Sequence, residues 1–118
     1  MAKTTIKEIG ELVKDFKQES MLVLFGTLAP PELKDISVIH EPLDTTETNI
    51  IKTNGSVQIG AQIYTITKVG SDANTSFDQL GHITILFTDN DIDILPGSIS
   101  VSPATFPNLI VGESIEFK

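Results

Sequence analysis

From His82 to Thr88 the side chains alternate with period two: Ile83, Ile85 and Phe87 fall on one face, His82, Thr84, Leu86 and Thr88 on the other. That pattern predicts a half-buried strand. Met21 to Phe25 is instead an unbroken apolar run closed by Gly26, as expected of a strand buried on both faces. Residues 36–40 predict a strand stopped by Pro42. Residues 63–69 predict another, ended by Gly70, and further strands are expected over 92–95, over 98–102 after Pro96-Gly97, and over 114–117 after Gly112. Ile50 and Ile51 lead into the turn dipeptide Asn54-Gly55, and Val57 to Ile59 resume beyond it, which predicts a hairpin.

Helical signals are short. Proline and an acid suit the first turn of a helix, so Pro31 and Glu32 predict one turn over 31–35. Thr75 and Asp78 have the spacing of a capping box and Gly81 stands where a C-terminal glycine belongs, predicting a helix over 74–80. Between residues 4 and 18, Ile6, Ile9, Leu12, Val13 and Phe16 recur at helical spacing, while Thr4-Thr5-Ile6 and Gly10 favour a strand; the reading adopted is a strand followed by a helical turn. No linker, low-complexity stretch or convincing repeat is visible. The expected fold is mainly β, a single-domain antiparallel β-barrel-like structure with one to three short helices, spanning residues 1–118. Ile, Val and Thr supply 36 of the 118 residues, a β-branched load that suits pleated surfaces.

Charge and composition then remove function classes. Sixteen acids stand against 8 bases, all of them lysine, for a net charge of -8, and arginine, cysteine and tryptophan are absent. Nucleic-acid binding needs a basic face, which this chain lacks. Without arginine there is no bidentate guanidinium clamp for a phosphoryl group, and without cysteine there is no disulfide or thiolate metal site. No run approaches the ~18 apolar residues of a membrane span and no apolar leader opens the chain, so a cytoplasmic location is expected.

Only two histidines can serve as nucleophile, proton shuttle or imidazole ligand. His40 ends an apolar run before Glu41-Pro42, where a strand gives way to a loop, and is expected as an exposed rim residue; the plainer reading is a rim histidine of no consequence. His82 shares a strand face with Thr84, and its plainer reading is a histidine bonded to a neighbouring loop. A metal site built from His40, His82 and one acid is chemically permitted. Asp89, Asp91 and Asp93 alternate as in a calcium loop, but Ile94 and Ser100 stand where such a loop needs glycine and glutamate, so they are read as the solvated face of a strand. Glu8, Glu11, Asp44 and Glu47 are read as solvated surface.

Leu80-Gly81-His82-Ile83-Thr84, taken with Tyr64-x-Ile66-Thr67-x-Val69-Gly70 before it and Pro96-Gly97 after it, resembles the glucitol/sorbitol-specific IIA component of the bacterial phosphoenolpyruvate-dependent sugar phosphotransferase system. The likeness runs from about Thr4 to Phe117 and takes in Pro31-Glu32-Leu33, Gly60 and the closing Gly112-x-x-Ile115-x-Phe117. It implies a cytoplasmic, mostly β phosphocarrier without a cofactor, which accepts a phosphoryl group from the histidine of HPr. The group then passes to the IIB domain of a sorbitol-specific IIB/IIC permease, through which any membrane association is indirect. The resemblance places the acceptor on His40; where relatives can carry a second polar residue or histidine shortly afterwards, this chain has Glu41-Pro42. A neutral imidazole is nucleophilic near pH 7. With no guanidinium to meet the charge of the transferring group, the His82 N–H is expected to assist, with Thr84 helping or fixing a tautomer. The competing class is a non-catalytic β-barrel ligand- or protein-binding module in which both histidines are structural.

Overall fold

The computed structural model describes residues 2–41 and 48–118. Its strands are β1 (Ala2–Ile9), β2 (Met21–Phe25), β3 (Ser37–Glu41), β4 (Ser56–Ile59), β5 (Gln62–Val69), β6 (Ile83–Phe87), β7 (Ser98–Ser102) and β8 (Ser114–Phe117). They close into a barrel in the order β1-β3-β2-β6-β7-β5-β4-β8. Closure removes the unpaired edges that an open sheet of this composition would expose. Most neighbours are antiparallel, as expected, but β2 with β3 and β6 with β7 run parallel. Three short helices, α1 (Val13–Phe16), α2 (Pro31–Lys34) and α3 (Ala73–Leu80), lie between strands, and a 3₁₀ turn at Lys17–Glu19 continues α1.

The alternating positions fill the barrel. Ile83, Ile85 and Phe87 of β6 pack there with Ile6, Val38, Ile99, Val101, Ile115 and Phe117, all essentially removed from solvent. Each such side chain contributes about 1.5–3 kcal/mol by leaving water. α3 adds a plug: Ala73 and Phe77 join the same core, and the Phe77 ring meets Phe117 edge-on at 4.9 Å.

Three local expectations are overturned. Residues 92–95 form no strand, because this segment crosses between the parallel strands β6 and β7 and has no ladder to join; Lys68 instead donates to the Ile92 carbonyl at 2.6 Å and pairs with the preceding Asp91. Ile50 and Ile51 are likewise outside the ladders, and β4 turns into β5 through Gly60 (φ 60°), not through Asn54-Gly55. α3 begins at Ala73 and the capping box does not form: Asn74 bonds the Ile51 backbone at both its N–H and its carbonyl, and Asp78 accepts from the Asn49 N–H. These side chains hold the segment around Ile51 against the helix, a tertiary role that local spacing does not reveal. Pro42, Asp44 and Glu47 lie outside the described residues.

The structure also contains a repeat that the sequence hides. β1 and β5 correspond at an offset of 60 residues, with bulges at matching places, Ile6/Glu8 against β3 and Ile66/Lys68 against β7. Gly10 N–H bonds the Ser37 carbonyl and Gly70 N–H bonds the Ser98 carbonyl. A Cβ at either glycine would sit 2.3 Å from a backbone oxygen, so both positions exclude any side chain. Left-handed Ser20 (φ 55°) before β2 matches left-handed Gly81 (φ 66°) before β6. The two halves meet where equivalent strands pair antiparallel, Val23 opposite Thr84 and Gln58 opposite Glu116, giving a pseudo-two-fold barrel.

Candidate functional site

His40 is where the halves differ. β3 carries Val38 and His40 on its inward face, so the imidazole enters the barrel and has no exposed surface. This overturns the rim placement: the strand runs one residue past His40, and the inward phase of β3 includes it. Across the β1–β3 ladder, Thr4 is the diagonal neighbour on the same face, and its Oγ1 lies 2.7 Å from His40 Nδ1. Gly81 supplies the other contact. Its left-handed backbone caps α3, with its N–H on the Phe77 carbonyl, and turns its own carbonyl to within 2.8 Å of His40 Nε2. The Phe77 ring stacks beside the imidazole at 5.9 Å.

Those contacts assign the protons. A carbonyl oxygen only accepts, so Nε2 carries the hydrogen and donates to Gly81. Burial pushes the His40 pKa below its ordinary value, against a smaller opposing pull from the Gly81 carbonyl. The ring is therefore neutral near pH 7, and its Nδ1 lone pair accepts from the Thr4 hydroxyl. A neutral imidazole with one N–H pinned and one lone pair held by a hydroxyl is a preorganised nucleophile.

His82 sits on the other side of the wall. Its ring stacks on Phe25 at 4.4 Å, and Phe25 belongs with Ala29, Leu33 and Ile39 to a small cluster separate from the barrel core. It remains half-buried, with its pKa lowered by desolvation. Thr84 lies on the outward phase of β6, opposite Val23. The expectation of His82 and Thr84 beside the acceptor thus meets the barrel wall: His82 touches the site only through the shared Gly81–His82 backbone, and Thr84 not at all. The hydroxyl at His40 is Thr4, which sequence reasoning missed. Its one signal was a polar residue on the same strand phase as Ala2 and Ile6, legible only once β1 is known to be a strand throughout.

No group of three or more metal-ligating side chains occurs among the described residues, and His40 spends both ring nitrogens on Thr4 and Gly81. A cleft of about 310 Å³ between Thr67, Lys68, Thr88, Asp91, Ser100 and Ser102 includes neither histidine. No helix of the described residues is long and apolar enough to cross a membrane.

The described strands form a closed eight-stranded barrel, and one neutral imidazole, that of His40, points into it. The model of one family, the glucitol/sorbitol-specific IIA component of the phosphotransferase system, matches residues 1–116, and the chain belongs to that family. The glucitol/sorbitol-specific EIIA components of Shigella flexneri and Escherichia coli (strain K12) are each 27% identical over 115 residues, 98% of this chain and 92% of theirs. The crystal structure of a phosphotransferase-system IIA component from Enterococcus faecalis V583 superimposes with a TM-score of 0.88 at 32% identity, covering 98% of both chains. Membership makes the protein a phosphotransfer component of sugar transport.

Proposed function

We propose that this chain is a cytoplasmic histidine phosphocarrier in which His40 accepts a phosphoryl group from HPr and passes it to the IIB domain of a glucitol/sorbitol IIB/IIC permease. The observation that carries the reading is the neutral His40 imidazole held between the Gly81 carbonyl and the Thr4 hydroxyl. A satisfied core histidine would need no more than this, but a phosphotransfer family needs an acceptor group, and the other half of the barrel closes without an imidazole. Phosphoryl transfer asks for positioning and charge stabilisation rather than a deep substrate pocket. Because His40 is covered, transfer requires the docked partner to uncover the ring.

A second reading is favoured by one observation. His82 is the histidine with solvent access, and an acceptor reached without opening the barrel would be His82. Intact-mass spectra after incubation with phosphoenolpyruvate, enzyme I and HPr decide between them. The expected result is one acid-labile phosphoryl group on the wild type and on His82→Ala, and none on His40→Ala. Label that persists in His40→Ala and vanishes in His82→Ala moves the acceptor to His82. A wild type that takes no label leaves the barrel as a binding module.

A further inference from the structure

We propose that Thr4 is a positioning residue for phosphoryl transfer at His40, its hydroxyl orienting the ring through Nδ1; this rests on the phosphocarrier reading above. Thr4 is 3% exposed, and the hydrogen bond to His40 is the contact that satisfies its buried hydroxyl. A polar group in that setting costs stability unless it is paired.

The repeat within the chain supplies the comparison. The position equivalent to Thr4 in the second half is Tyr64, and the position equivalent to His40 is Val101, as the register of Ile6 with His40 and of Ile66 with Val101 shows. Val101 is fully buried, and Tyr64 is 2% exposed with its hydroxyl on the Thr105 carbonyl, away from the strand pair. The same wall therefore closes with a valine and no polar partner. A hydroxyl–imidazole pair is not what the barrel architecture requires, so the first half keeps Thr4 and His40 together for what the pair does.

In the transfer step the N–P bond of the donor phosphohistidine breaks, and the donor imidazole leaves with the electron pair. The lone-pair nitrogen of His40 forms the new N–P bond, and the other ring nitrogen keeps its hydrogen, so no proton is released. A carbonyl such as that of Gly81 can face only an N–H, whereas a hydroxyl both donates and accepts. Thr4 thus serves Nδ1 on both sides of the step: its hydroxyl donates to the lone pair before transfer and turns to a phosphoryl oxygen once Nδ1 carries the group. The ring is held in one plane throughout, which is the condition for a near-attack geometry.

The test compares Thr4→Val, near-isosteric but without the hydroxyl, with Thr4→Ser, which restores it. Single-turnover loading from phosphorylated HPr should fall about tenfold or more in Thr4→Val and stay within about threefold of wild type in Thr4→Ser. ¹⁵N spectra of the imidazole should show a single Nε2–H tautomer with a hydrogen-bonded Nδ1 in the wild type, and an Nδ1 shifted toward the unbonded value in Thr4→Val. A folded Thr4→Val with the wild-type rate and spectrum overturns the positioning role, as does a wild-type spectrum with an unbonded Nδ1, which needs no variant. A wild type that takes no label overturns the phosphocarrier reading instead, and one that takes it on His82 overturns the choice of His40 as acceptor.

Discussion

Replacing His40 by the residue its own repeat carries, valine, is the sharpest perturbation of this structure. His40→Val removes two buried hydrogen bonds and leaves the Thr4 hydroxyl and the Gly81 carbonyl without partners. Each orphaned buried group costs about 1–3 kcal/mol, and the apolar gain of valine offsets part of it, so a net loss of about 2–4 kcal/mol is expected at pH 7.5. Acidification should narrow that gap. The folded-state pKa of His40 is lowered, so below about pH 6.5 the unfolded chain binds a proton that the folded chain refuses. The wild type is therefore at full stability above that pH and loses up to about 1.4 kcal/mol per unit as pH falls toward the folded value. His82 acts in the same direction, so the comparison belongs in a His82→Gln background. Urea denaturation of the two chains at pH 7.5, 6.5 and 5.5 measures the gap, which should shrink by about 1 kcal/mol over the last unit. A gap that is constant with pH, or absent at pH 7.5, would show that His40 is not a buried neutral hydrogen-bonding residue.

Other outcomes follow from single contacts. Gly10→Ala and Gly70→Ala should each cost about 2 kcal/mol or more because the new Cβ meets a backbone oxygen at 2.3 Å, whereas Gly97→Ala, with nothing within 4 Å, should be nearly neutral; thermal denaturation of the three gives the ranking, and equal effects would refute it. Tyr64→Phe should lose about 0.5–1.5 kcal/mol with the 2.6 Å bond to the Thr105 carbonyl, and an unchanged urea midpoint would show that bond to be worth nothing. With a net charge of -8, loading by HPr at limiting protein should slow as added salt shortens the Debye length toward ~8 Å; a flat profile argues against electrostatic steering.

The strands that carry the core were readable from the chain because burial on one face writes a period of two into it. Ile83, Ile85 and Phe87 announce their phase without any neighbour, β2 follows from an apolar run closed by Gly26, and β7 from the Pro96-Gly97 turn before it. Gly81 was legible for a similar reason, since a left-handed cap after a helix leaves few residue types to choose from. Where a segment's conformation depends on a distant partner, local pattern misleads. Residues 92–95 alternate like a strand but have no ladder to join, and Asn74 serves Ile51 rather than its own helix.

The candidate site lies on the same boundary. That an imidazole acceptor could only be His40 or His82, in a chain without arginine, cysteine or tryptophan, is a property of composition and needs no coordinates. Which way His40 points is not: its phase is set by the pairing of β3 with β1, and one step of register would turn the ring out to solvent. Thr4 and Gly81 lie 36 and 41 residues from His40 along the chain, and only closure of the barrel and the docking of α3 bring them to its two nitrogens. The repeat was hidden for a related reason. Hydrogen-bond register and two close backbone approaches at glycine define it, and these constrain few side chains, so the halves differ in sequence while the barrel keeps its two-fold form.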